Sequence, residues 1–161
     1  MQVIEHILRS DDASGVAWPA PALALPGRCR AFVDALWTTV YAPQRFLTAW
    51  AIYFGSHGDA DLMARIARRR QQVSADLRQR FLAVFPELRS RPAAAADLAD
   101  LVFASLRGLA LTRLFDGAAD PGPGVRRELA QLIEARCRAA AATAAGTPTS
   151  STPPRRKRAQ P

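Results

Sequence analysis

The stretch from Leu98 to Phe115 constrains this chain more than any other. Leu98, Leu101, Val102, Leu106, Leu109 and Phe115 are apolar, and Phe103, Leu111 and Leu114 widen the surface. A helix this apolar cannot turn most of its sides to water. It belongs inside a bundle, or is shared between a bundle and a second chain. Gly108 stands in its middle, where glycine costs about 1 kcal/mol relative to alanine. Close approach of another helix is one reason to keep it there. An ordinary core helix with an incidental glycine is the other.

The rest of the chain fits an all-α class. It is 161 residues long, enough for one domain with a real core, and rich in the helix formers Ala, Leu and Arg. Long alternating strand patterns are missing. No apolar run reaches the roughly 18 residues of a membrane span, and the N-terminus lacks the basic-then-apolar order of a secretory signal. The expected location is cytoplasmic. The two cysteines, Cys29 and Cys137, form no CxxC pair, and only His6 and His57 could complete a metal site. Neither a metal nor another cofactor is expected.

Charge gives a weaker signal than its total suggests. The net charge is +8, but Arg155, Arg156, Lys157 and Arg158 supply half of it from a Ser/Thr/Pro-rich tail. The remaining +4 is ordinary solubility charge. The tail is expected to touch phosphate weakly and without sequence preference.

Along the chain, residues 1–10 read as a short helix, with Val3, Ile4, Ile7 and Leu8 on one stripe. Residues 11–27 hold Pro19, Pro21 and Pro26 and read as a flexible loop. A helix over 28–41 presents Phe32, Leu36, Trp37 and Val40. Pro43 suits the first turn of the next helix, which runs through Phe46, Leu47, Trp50, Ile52, Tyr53 and Phe54 to Gly55. Asp59 or Asp61 caps a long helix over about 60–85, apolar at Leu62, Ile66, Val73, Leu77, Phe81, Leu82 and Phe85. Pro86 and Pro92 punctuate the turn before the broad apolar helix. A last helix from Val125 to about Ala144 presents Leu129, Leu132, Ile133 and Cys137. Residues 28–144 form the helical domain, and 145–161 a disordered basic tail.

Two blocks carry a family resemblance. The first is Ala49-Trp-Ala-Ile-Tyr-Phe54, followed by Asp61-Leu-Met-Ala-Arg-Ile-Ala-Arg-Arg-Arg70 and Leu77-Arg-Gln-Arg-Phe-Leu82. The second runs from Ala96-Asp-Leu-Ala to Leu106-Arg-Gly-Leu-Ala-Leu-Thr-Arg113. Together they resemble the C-terminal effector-binding and dimerisation domain of TetR-type transcriptional repressors, within them the BetI-like group, over roughly residues 28–138. The resemblance implies a helical bundle enclosing a pocket for a small organic effector. It implies a two-fold homodimer through the last two helices. It also implies DNA binding by a separate N-terminal helix-turn-helix. Residues 1–10 then correspond to the connecting helix, so the chain is expected to lack its own reading head. It would be a natural truncation, a fragment or the product of a late start. DNA contact is expected only through that absent element or through a partner chain.

The expected pocket residues are Trp37, Trp50, Tyr53, Phe54 and Arg69. Helical spacing lets Trp50 share a wall with Tyr53 or with Phe54, but not with both. Arg69 and Arg70 are expected to pair with Asp97, Asp100 or Asp34 across helices, the alternative being an anionic ligand site. The expected dimer interface holds Leu101, Ser105, Gly108, Leu109, Thr112, Leu129, Leu132 and Ile133. No positioned nucleophile, general base or metal set can be assembled, and the loop histidine His57 lacks triad partners, so enzymatic activity is not expected. The expected function is effector sensing and dimerisation. The alternatives are a structural helical dimer without ligand and a basic-tailed nucleic-acid accessory protein.

Overall fold

A computed structural model describes residues 16–55, 58–116 and 122–145. The helix expected at 1–10, the start of the 11–27 loop, His6, His57 and the basic tail lie outside the described residues. Within them the chain is all-helical. Helix α1 is Leu25–Leu36, α2 is Gln44–Gly55, α3 is Ala60–Val84, α4 is Pro92–Asp116 and α5 is Pro123–Ala145. A π-helical turn, Trp37–Tyr41, joins α1 to α2, and a 3-10 turn, Pro86–Ser90, joins α3 to α4. None of the described helices is long and apolar enough to cross a membrane.

Local chemistry sets most of these ends. The Asp59 carboxylate accepts the Leu62 N–H at 2.9 Å and caps α3. Pro86 opens the 3-10 turn and Pro92 opens α4. Pro26 sits in the first turn of α1, where its missing N–H costs nothing. Helix α1 therefore begins inside the segment read as a flexible loop. The residues before it are packed as well. Val16 is buried, and the Trp18 ring lies 5.4 Å from that of Phe32. Prolines stop a helix interior but also start helices, and composition does not distinguish the two uses.

The core is assembled where α1, α3 and α5 meet. Phe32, Phe81 and Phe85 are fully buried, with ring centroids 4.9–5.4 Å apart in edge and tilted contacts. Burying each such ring is worth roughly 1.5–3 kcal/mol. Helix α1 packs chiefly on α5. Cys29 and Val33 are buried on α1, and Ala130, Ile133, Cys137 and Ala140 are buried on α5 at helical spacing. Leu129 and Ile133 thus belong to the protomer's own core, with Ile133 wholly inaccessible, and not to a dimer surface. The reason is that the α5 stripe faces α1, a partner remote in sequence.

A buried charge closes the same region. Arg28 is 3% exposed; its guanidinium donates to Glu87 and to the Pro21 carbonyl, and it lies over the Phe85 ring at 5.7 Å. It ties the chain before α1 to the 3-10 turn. Arg28 Nε and Glu87 Oε2 are buried without a partner, so the pair is incompletely satisfied.

Gly122 makes a close approach that sequence reading did not single out. A Cβ there would lie 2.9 Å from Leu109 Cδ1 and 3.0 Å from Leu109 Cγ. At Gly108, by contrast, a Cβ would meet nothing within 4 Å. Among the described residues no helix approaches the glycine in the middle of α4.

Two outcomes test this packing. Glu87→Ala should lower stability by about 3–5 kcal/mol in urea unfolding, because it strands a buried guanidinium. The double variant Arg28→Met, Glu87→Leu should recover most of that loss. The second concerns the thiols. Burial, with Glu134 adding to it, pushes Cys29 up to about 11; burial, with Glu87 adding to it, pushes Cys137 up to about 12. Both folded values lie above the ordinary 9.0, so the associated stability is intact below about pH 9 and is lost as pH rises toward 11–12. The slope of unfolding free energy should reach about 1.4 kcal/mol per pH unit for each thiol, and Cys137→Ala should flatten it.

Candidate functional site

The π turn decides where the site can form. Its hydrogen bond, Ala42 N–H to Trp37 O at 2.7 Å, spans one residue more than an α turn. Val40 and Tyr41 both reach the wall of a cavity beyond it. From α4, Arg113 donates to the Ala42 carbonyl at 2.6 Å and fixes the corner between α1 and α2. An aromatic row then continues up α2. Tyr41 contacts Phe46 at 5.3 Å, Phe46 contacts Trp50 at 6.3 Å and Trp50 contacts Tyr53 at 5.2 Å.

The cavity holds about 130 Å³ between α2, α3 and α4. Tyr41, Phe46, Ala49, Trp50, Ile52 and Tyr53 line it from the α1–α2 corner and α2. Ile66, Arg69, Arg70, Val73, Ser74 and Leu77 line it from α3, and Phe103 and Arg107 from α4. Tyr41, Phe46, Ile66, Leu77 and Phe103 are buried and make its interior. Arg70 is exposed, and Arg69 and Arg107 are half-buried, which sets the three guanidiniums toward the mouth. The wall is apolar inside and cationic at the edge, with no carboxylate among the described lining residues.

Trp50, Tyr53 and Arg69, all expected at a pocket, line this cavity. Trp37 does not. It is 5% exposed and lies in the core under the Arg126 guanidinium, 4.8 Å from its ring centre. The π turn accounts for this, since Val40 and Tyr41, and not Trp37, are the residues it brings to the cavity. Phe54 is also outside the lining and 52% exposed. Its ring nonetheless touches both Trp50 and Tyr53, at 5.6 and 5.8 Å, so the three rings form one cluster despite their spacing. Long aromatic side chains bridge the angle that separates their Cα atoms.

Asp100 and Asp34, two of the three acids expected to pair across helices, meet other arginines. Asp100 accepts both Nε, at 2.6 Å, and a terminal nitrogen of Arg78. Its carboxylate holds the Arg78 guanidinium more firmly protonated than usual. Asp34 lies 4.0 Å from Arg126. Arg69 and Arg70 instead line the cavity, with Arg70 5.9 Å from the centre of the Trp50 ring. Arg107, Tyr41, Phe46 and Phe103 are among the lining residues that the pocket expectation lacked. Phe46 and Phe103 stood out in sequence only as apolar positions. Tyr41 carried no signal, because the π turn is not legible in a hydrophobic period.

On the other side of α4 lies an apolar stripe. Leu101 is 51% exposed and Phe115 84% exposed; Gly108 and Thr112 are exposed between them, and Ser105 is half-buried. Leu109 and Leu132 are half-buried against the core. Among the described residues no group of three or more His, Cys, Asp and Glu could hold a metal ion. No family model matches the chain, and no curated protein or solved structure shows significant similarity to it.

Two substitutions on α2 separate cavity wall from outer buttress. Phe46→Ala should cost about 3–5 kcal/mol in thermal or urea unfolding, as expected for a buried ring. Phe54→Ala should cost less than about 1 kcal/mol, because half of its ring already faces water.

Proposed function

We propose that the chain is a ligand-sensing, self-associating domain of the kind carried by TetR-type transcriptional regulators. One observation carries the reading. Helix α4 supplies Phe103 and Arg107 to the cavity wall and turns Leu101, Gly108 and Phe115 outward on another side. A ligand that shifts α4 would be felt directly by a second chain resting on that stripe. Leu101, Ser105, Gly108, Thr112 and Phe115 follow helical spacing, with small or short side chains between two large apolar ends. Exposed Val125 on α5 and half-buried Leu132 extend the apolar area.

In this reading the second chain is another copy, packed through α4 and α5 about a two-fold axis. Its centre lies at Leu101, Gly108 and Phe115, with Leu109 and Leu132 at the flank. Contact with DNA is made through elements other than the described helices. The tail residues Arg155, Arg156, Lys157 and Arg158 contribute only salt-sensitive, sequence-independent attraction.

Sedimentation velocity tests the association. The chain should sediment at twice its own mass at micromolar concentration. Gly108→Leu should convert it to a folded monomer, since a Cβ there meets no described atom within 4 Å and the added side chain would obstruct a second chain. Circular dichroism should show undiminished helix in that variant. A wild-type chain that stays monomeric at high micromolar concentration, or a Gly108→Leu variant that still dimerises as tightly, would overturn the reading.

A further inference from the structure

The chemistry of the cavity goes further than its existence. We propose that it takes a small organic anion, with an apolar body of about one aromatic ring against Tyr41, Phe46 and Phe103 and a carboxylate held at the mouth by Arg107 and Arg70. This rests on the reading of the chain as a ligand-sensing domain and names the class of ligand.

Three observations converge. The first is size. An apolar protein cavity of about 150 Å³ accommodates benzene, and this one holds about 130 Å³. A ligand with more than about one ring would extend past the mouth toward solvent. The second is the sign of the charge. Three guanidiniums line the cavity, and no carboxylate among the described lining residues opposes them. A ring of aromatic side chains can also cage a quaternary ammonium. Here, however, Arg70 already lies over the Trp50 ring at 5.9 Å. An incoming cation would meet like charge at the face it needs.

The third observation is the state of the arginines themselves. On the same two helices, Arg78 is neutralised by Asp100 and Arg113 is engaged by a backbone carbonyl. Arg107 is half-buried and makes no hydrogen bond or ion pair with another described residue. Among the described residues, Arg70 contacts the Trp50 ring and makes no hydrogen bond or ion pair. A guanidinium offers five N–H donors in a planar fork that matches a carboxylate in two-point contact. Holding such a group at the edge of an apolar chamber leaves its donors available to an anion whose body enters the chamber. Charge-assisted hydrogen bonds of this kind are the strong ones.

Benzoate, benzyl alcohol and benzylamine share one ring and differ in charge, so they separate the terms. Trp50 fluorescence and calorimetry on the full chain would follow binding. Benzoate should bind about tenfold or more tightly than benzyl alcohol, the increment of one charge-assisted contact, and benzylamine most weakly. The preference should shrink as salt rises. Arg107→Gln should weaken benzoate by about tenfold and leave benzyl alcohol unchanged within about twofold, and Arg70→Gln should act in the same direction. Arg127→Gln removes an equal charge from the exposed surface of α5 and should leave both affinities unchanged. Benzyl alcohol binding as tightly as benzoate, or cavity-arginine variants no different from Arg127→Gln, would overturn the anion while leaving a ligand-sensing cavity in place. Failure of all three probes to bind at millimolar concentration would overturn the anion proposal and the ligand-sensing reading together.

Discussion

The contact among Phe32, Phe81 and Phe85 is the constraint on which the rest of the fold depends. It brings α1 onto the end of α3 and onto the residue that opens the 3-10 turn. Phe103 of α4 then meets Phe81 at 6.3 Å, so the same cluster fixes α4 against α3. Arg28 covers its edge and binds Glu87, tying the segment before α1 to the turn after α3. These contacts join α1, the end of α3, the 3-10 turn and α4, while Trp50, Tyr53 and Phe54 gather at the far end of α2. The cavity lies between these two aromatic clusters, walled by rings from α2 and by Phe103 of α4.

Arginine plays two opposite roles in this molecule. All but one of its 22 basic residues are arginine. Arg28, Arg78, Arg113 and Arg126 are structural: each reaches a carboxylate, a carbonyl or a ring on another element. Arg70 and Arg107 sit at the cavity mouth, and no described carboxylate lies beside them there. The distinction follows from where the acids fall. Asp100 lies on α4 within reach of Arg78, farther along α3 than the arginines at 68–70. A consecutive run of arginines in a sequence therefore says little about which one is a strut and which one is available.

Helix α4 unites the two halves of the proposed function. Its apolar residues point all round, and the protomer covers only part of them: Val102, Leu106 and Ala110 are inaccessible while Leu101 and Phe115 face outward. Were the helix only a core element, its outer side would carry the polar residues of an ordinary amphipathic helix. Gly108 lies on that outer side, where a Cβ would meet no described atom within 4 Å and a glycine weakens the helix. The proposed second copy would rest on this surface.

The sequence by itself determined the helices and most of their limits. Asp59, Pro86 and Pro92 act within one turn of their own positions, so their effects are legible locally. The same holds for the core faces of α3 and α4, whose apolar spacing already names Ile66, Leu77, Phe81, Val102 and Leu106. Tertiary structure alone decided which apolar stripe meets which. It turned Leu129 and Ile133 inward to α1, and put Trp37 in the core under Arg126. It carried Val40 and Tyr41 to the cavity by a π turn that no residue period announces. It also assigned Asp100 and Asp34 to arginines other than those nearest in the reading. Periodicity shows that a face will be buried. The identity of its partner depends on distances between residues far apart in the chain, and only the folded molecule sets those.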